Sequence, residues 1–296
     1  MGIGGSLKGQ AMTVGLVTDS TCDLPDAEAG RLGVEVVPAI LVVGGRGLQD
    51  GIDPVRTESY RRLTTRSSLA TTAAPSAGAF EAAYAKLLMT GAAEVLSIHI
   101  SSRLSGIYNT AGVAANRFQD RIQVVHSGQV SLALGFQVMA VAKAALRGAS
   151  LGALLDLLRD LKQRVRFIAL IDHLENLRRS GRINWLQAEL GNLLQIRHLV
   201  TLSGGAVERI GQFRTRSKAL AELMKQAASW TPLDQLAVLH VNAEAEAHEL
   251  LAELRKSPGM WPTEGARVPW VVEGTPIIGV HTGSGALGLA ALSSRD

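Results

Sequence analysis

The chain has 296 residues, enough for one large domain or two ordinary ones. Apolar residues make up 47% of it and aromatics only 4%, so the core must be mostly Ala, Leu, Val and Ile, and aromatic stacking platforms for single-stranded nucleic acid are disfavoured. A net charge of +4 is too mild for a nucleic-acid footprint, and the single cysteine, Cys22, rules out an intrachain disulfide.

The first residues, Met1–Ala11, are Gly-rich and lack the apolar centre of a signal peptide, so residues 1–12 read as a disordered tail. Thr13–Val17 is a short β-rich run that ends in the polar junction TDSTCD (Thr18–Asp23). Val34–Val43 reads as a second strand, followed by the turn-like GGRG (Gly44–Gly47). Pro54 precedes a stretch with helical spacing, Glu58–Leu63. The junction TTAAPS (Thr71–Ser76) supplies Ser76 as a cap for a helix over Ala77–Leu88, with Phe80, Tyr84 and Leu87 or Leu88 on one face. Glu94–Ile100 is a strand whose junction, ISSRLSGIY (Ile100–Tyr108), leads into a helix from about Ser105 to Arg117. Ile122–His126 is a further strand. Val130–Leu146, the longest apolar run, is interrupted by Gln137 and Lys143 and falls short of the roughly 20 residues of a membrane span, so it predicts a buried helix. Leu151–Leu161 continues helical. Strands alternating with helices predict a parallel sheet covered by helices, with ligands bound where strands turn into helices.

From about Arg164 the pattern changes. Phe167–Ile171, Val207–Phe213, Gln235–Val241, Val268–Val272 and Ile277–His281 read as strands, Lys218–Ser229 and Glu244–Lys256 as helices, and Ser257–Ala266 as a loop. The expected fold class is therefore α/β with two domains. An N-terminal parallel sheet flanked by helices occupies residues 13–163, and a C-terminal α+β domain occupies 164–296.

The polar junctions carry the chemistry. Asp19 and Asp23 stand four apart, not the two that aspartyl phosphoryl transfer requires, so a helix cap or Asx-turn is the favoured reading of TDSTCD. Ser101, Ser102 and Ser105 surround a helix start, where hydroxyls and unpaired amides attract carboxylates and phosphates. HTGSGALG (His281–Gly288) contains a formal G-x-G-x-x-G, but the chain ends at Asp296, too soon for the βαβ unit and acidic residue of a dinucleotide site. Its glycines read as close packing, and His281 as a structural residue or a donor to an anion. RRSGRI (Arg178–Ile183) and the pair Arg214 and Arg216, expected on one face of a strand, offer guanidinium forks to an anion or an acidic partner. There is no C-x-x-C, no H-E-x-x-H, no Walker A loop and no clustered ligand set, so neither a metal nor a cofactor is expected.

Six of these motifs in order resemble the DegV family of bacterial fatty-acid-binding proteins: TDST, Thr72–Ser76, the S-S-x-L-S-G-x-Y stretch at Ser101–Tyr108, S-G-R-I at Ser180–Ile183, R-T-R at Arg214–Arg216 and H-T-G-x-G-A-L-G at His281–Gly288. Ala74, Ile107, His126, Ser180 and Ser284 depart from the residues common there. The resemblance implies a cytoplasmic, non-catalytic carrier without stable membrane insertion or nucleic-acid partner. It would bury a long-chain fatty acid, roughly C14–C18, from which ~0.8 kcal/mol per buried methylene gives ample affinity. It further implies a carboxylate held by Thr72 and Ser105 with His281 close by, and Gly106, Ser102 and Ser20 alongside. Arg182, Arg214 and Arg216 would dock the catalytic subunit of a fatty acid kinase, which makes an acyl phosphate for phospholipid synthesis. The competing reading is a serine hydrolase of acyl esters using Ser105 with His281, for which no third triad member and no G-x-S-x-G elbow can be named.

Overall fold

The structure is a computed structural model that describes residues 14–51, 70–183, 196–257 and 270–295. The helical stretch expected at Glu58–Leu63 and the loop expected at Ser257–Ala266 lie outside these residues, the latter except for Ser257. The tail expected at 1–12 lies outside them as well.

Four short β-branched runs form an all-parallel sheet in the order β2-β1-β6-β7: β1 Val14–Asp19, β2 Val34–Val37, β6 Glu94–His99 and β7 Ile122–His126. The crossovers are α1 (Asp26–Arg31), α2 (Ala77–Met89) and α3 (Ile107–Ala115). Ser76 caps α2 by accepting from the Ala79 amide, as its sequence position predicts. The single strand expected over Val34–Val43 is two. Proline has no amide for the ladder, and the break falls at Pro38. Beyond it, β3 (Ile40–Val43) leaves the parallel sheet and pairs antiparallel with β4 (Arg46–Gln49) and β5 (Thr71–Ala73). The expected Gly44–Gly45 turn makes the β3–β4 hairpin, with φ of 56° and 79° at the two glycines.

The second half builds a six-stranded sheet in the order β10-β9-β8-β13-β11-β12. Its strands are β8 Val165–Ile171, β9 Arg197–Ser203, β10 Ala206–Phe213, β11 Leu233–His240, β12 Trp270–Glu273 and β13 Leu287–Ser293. All neighbours are antiparallel except β11 and β12. One expectation is overturned here. Ile277–His281 is not a strand but part of helix α9, Pro276–Thr282, and the last strand is β13. Extended Thr275 and Pro276 at the first helical position start the helix, and Gly283 at φ 80° stops it. A second correction concerns the R-T-R motif. β10 ends at Phe213, so Arg214 and Arg216 do not share a strand face. Thr215 caps helix α7 (Arg216–Ala228) by accepting from the Lys218 amide.

Between the two large sheets lies α4 (Ser131–Leu146). It is apolar nearly all round, which requires burial on every side. It packs on β1 and the Ser20–Cys22 turn and also on β8, β11 and β13. Gly135 permits that contact: a Cβ there would stand 2.8 Å from the Cys22 carbonyl oxygen, which as backbone cannot swing away. α5 (Leu151–Arg164) lies against α4 and leads directly into β8. On the other face of the six-stranded sheet, α7 and α8 (Glu244–Lys256) cover Ile168, Leu170, Leu199, Leu236 and Val238.

Candidate functional site

Alternation along the strands divides the six-stranded sheet into two unlike faces. Ile168 and Leu170 point to the core under α7, while Phe167, Ala169 and Ile171 point to a cavity on the side of α4. The cavity holds about 1160 Å³, its open mouth included. It crosses five adjacent strands, from Val207 on β10 through β9, β8 and β13 to Leu239 on β11. Four inter-strand steps of about 4.8 Å give a lane of about 19 Å. Along it runs a cross-strand row, Val200–Ala169–Gly288–Leu239, each residue directly opposite the next. The middle two are small. A Cβ at Gly288 would stand 3.0 Å from the Ile168 carbonyl oxygen and 3.6 Å from Leu239, so glycine keeps the lane both flat and open.

Further lining comes from the junctions of the parallel sheet, Thr21, Ala39, Ile100, Leu104–Ile107, Val130 and Ser131, and from β5 and the residue after it, Thr72–Ala74. Two polar side chains meet on it. β5 presents Thr72, and the last turn of α9 presents His281, whose Nε2 lies 3.0 Å from Thr72 Oγ1. His281 Nδ1 is buried with no hydrogen-bond partner among the described residues. Burial and then the positive charge of Arg182 push the His281 imidazole down to about 4, so it is neutral at pH 7. Arg182 also lines the cavity. It donates from Nε to the Leu104 carbonyl at 3.0 Å and from Nη1 to the Ser180 carbonyl. Helix α6 (Glu175–Arg179) and the turn at Gly181, φ 73°, carry it there. Ser105 and Gly106 line the same cavity at the start of α3, where Ser105 Oγ accepts from the Ile107 amide at 3.3 Å.

The structure thus brings Thr72, Ser105, Gly106 and His281 to one cavity and adds Arg182, expected as a docking cation, to its wall. Ser20 and Ser102 are not among the lining residues. Ser20 Oγ instead accepts from the Ala39 amide at 3.0 Å, and its neighbour Thr21 reaches the wall. Arg216 is turned inward. It holds Glu246 through Nε at 2.7 Å, Asp172 through Nη1 at 2.7 Å and the Gly285 carbonyl through Nη2 at 2.7 Å, bracing the glycine turn that follows His281. Arg214 is exposed. The hydroxyl that meets His281 belongs to Thr72, not to the Ser105 of the hydrolase reading.

A second polar cluster lies beneath the parallel sheet. Asp19 Oδ2 meets His99 Nδ1 at 2.9 Å, His99 Nε2 meets Ser97 Oγ at 2.6 Å, and Ser97 Oγ meets Tyr84 OH at 3.0 Å. Its Asp–His–Ser connectivity is that of a catalytic triad, but Asp19, His99 and Ser97 are each 0% exposed, so no substrate can reach the serine. Asp19 also caps the Ser20–Cys22 turn by accepting from the Thr21 amide at 3.1 Å, as the cap reading of TDSTCD expects. The signal for this network is in the sequence: Ser97 and His99 are two apart on a strand and therefore share a face.

The sequence model described as "Uncharacterised protein, DegV family" matches residues 13–294. A DegV domain-containing protein of Streptomyces coelicolor is 34% identical over 286 residues, 95% of this chain and 99% of its own length. Among solved structures, one described as fatty acid binding of a DegV family protein from Thermus thermophilus superposes with a TM-score of 0.84 at 33% identity, over 95% of this chain and 100% of that one. DegV of Bacillus subtilis, described as a fatty acid binding protein, superposes with a TM-score of 0.83 at 27% identity, over 95% of this chain and 99% of that one.

Proposed function

The chain belongs to the DegV family, and we propose that it binds a long-chain fatty acid whose acyl tail lies along the Val200–Ala169–Gly288–Leu239 row and whose carboxylate sits at Thr72, His281 and Arg182. The observation that carries this reading is the buried, unpartnered His281 Nδ1 on a largely apolar cavity wall. A buried polar nitrogen is costly until it meets a partner, and a carboxylate oxygen is the partner that a neutral imidazole N–H and a nearby guanidinium select. With Nδ1 protonated, Nε2 accepts from the Thr72 hydroxyl, so the pair shares one tautomer. Ser105 and the Gly106 backbone complete the head-group end. A zigzag chain advances roughly 1.25 Å per C–C bond of about 1.5 Å, so the ~19 Å lane matches about 15 bonds, the length of a C16 acid. Burying that many methylenes at ~0.8 kcal/mol each supplies ~12 kcal/mol before the costs of ordering the chain.

The test is native mass spectrometry of the protein purified from cells, followed by the same measurement on Thr72→Ala and His281→Ala. The wild type should retain a mass matching a C14–C18 acid, and both variants should retain much less. An empty wild type that turns over an acyl ester would favour the hydrolase instead.

The fatty acid kinase partnership extends the same proposal. Arg214, exposed just before α7, is the cation of the R-T-R motif left at the surface, because Arg216 is bound to Asp172 and Glu246. Arg214→Glu should leave lipid retention intact and impair phosphorylation of the bound acid by a kinase subunit. Unchanged phosphorylation would remove Arg214 from the docking role.

A further inference from the structure

Asp23 joins three segments that are far apart in the chain. Its Oδ1 accepts from the Thr275 amide at 2.9 Å, and its Oδ2 accepts from the Ser131 hydroxyl. The first is the residue before α9 and the second is the first residue of α4. All three are nearly inaccessible: Asp23 is 4% exposed, Ser131 3% and Thr275 2%. Asp23 and Ser131 both adopt left-handed backbone conformations, φ 49° and 55°, which side-chain-bearing residues hold only when the surroundings demand it. The Asp23 amide closes its own turn by donating to the Ser20 carbonyl at 3.2 Å.

We propose that Asp23 is a positioning residue for the head-group site, a clasp that fixes the start of α9 and through it the place of His281. α9 is seven residues long. His281 stands six residues after Thr275, about 9 Å along the helix axis at 1.5 Å per residue, so a short rigid element transmits the position of its first turn to its last. At the far end the imidazole meets Thr72 and precedes the glycine turn braced by Arg216, and between the two ends α9 packs on α6, β3 and β5. The TDSTCD junction thereby acts at a distance. It does not touch the proposed carboxylate but sets the helix that does. The clasp rests on the reading of His281 as a head-group donor.

The test measures release of parinaric acid, a fluorescent fatty acid, by stopped flow, and the His281 imidazole nitrogen signals by NMR in the ligand-free protein. Asp23→Ala should speed release about tenfold or more, the scale of losing a hydrogen bond to a charged group, and should shift the His281 signals. Asp23→Asn keeps an acceptor for the Thr275 amide and should behave as wild type. Thr275→Pro removes the amide proton at a φ of −65° that proline accepts, together with the threonine hydroxyl, and should copy Asp23→Ala, whereas Thr275→Val, which loses the hydroxyl but keeps the amide, should behave as wild type; the pair decides the matter if Asp23→Ala does not fold. Wild-type release and unshifted His281 signals in the folded variants overturn the clasp. His281→Ala is the reference. If it too releases at the wild-type rate, the head-group reading falls, and the His281 signals of the Asp23 and Thr275 variants alone judge the clasp.

Discussion

At His281, burial and the Arg182 charge both favour the neutral imidazole, and this sets a pH dependence. The folded value, about 4, lies below the ordinary 6.5, so the unfolded chain binds the proton more readily. The stability that His281 contributes is complete above pH 6.5 and is lost as pH falls toward 4. His281→Gln, which keeps a neutral donor, should flatten thermal stability across that window; an unchanged slope would place the acid sensitivity elsewhere. Arg182→Gln should weaken fatty-acid binding by about tenfold or more by removing a charged partner of the carboxylate. Much of this site was legible as residue types at junctions: Thr72, Ser105, Gly106 and His281 do line one cavity. What was not legible is the direction in which each arginine turns. Arg182 points to the cavity and Arg216 to Asp172 and Glu246, because those acids stand just after β8 and in α8, which no local pattern places beside the motif.

At the level of elements, the lane depends on two small residues in mid-row. Ala169→Leu would put three more carbons against Gly288 and Val200, its direct neighbours across the strands, and into the lane. Fatty-acid binding should fall well over tenfold, while the melting temperature changes little, because the added bulk enters the cavity and not the core under α7. Retained binding of a C16 acid would show that the chain takes another route. The helices of the first half and the strands β7 and β11 were readable from periodicity, since each is bounded by its own caps and turns. Strand β9 escaped although Gly204-Gly205 marks its end, because its run, RHLVTLS, does not alternate apolar and polar residues with a period of two. The run at Ile277–His281 misled for a physical reason: five residues are too few for periodicity to separate strand from helix, and the deciding signals are the flanking Thr275-Pro276 and Gly283.

Across the whole molecule, the apolar α4 is the common wall of both sheets, and the ligand lane runs beside its start at Val130 and Ser131. Composition anticipated this arrangement: a chain rich in Ala, Leu and Val and poor in aromatics can line a smooth tunnel as well as a core. Among the described residues, no helix is long and apolar enough to cross a membrane. The changeover expected near residue 164 coincides with the end of α5 and the start of β8, and we propose it as the domain boundary. The clasp at Asp23, the Ser101 hydroxyl bonded to the Gly205 carbonyl at 2.6 Å and the Thr72–His281 pair all cross between the halves. A bound acid spanning both walls should therefore raise the melting temperature of the molecule as one unit. The most direct measurement is a crystal structure with hexadecanoate bound. The account predicts the carboxylate within about 3.2 Å of His281 Nδ1, with the tail over Ala169 and Gly288. A carboxylate at the Thr21 and Ser131 end, or a fatty acid bound outside the cavity, would contradict it.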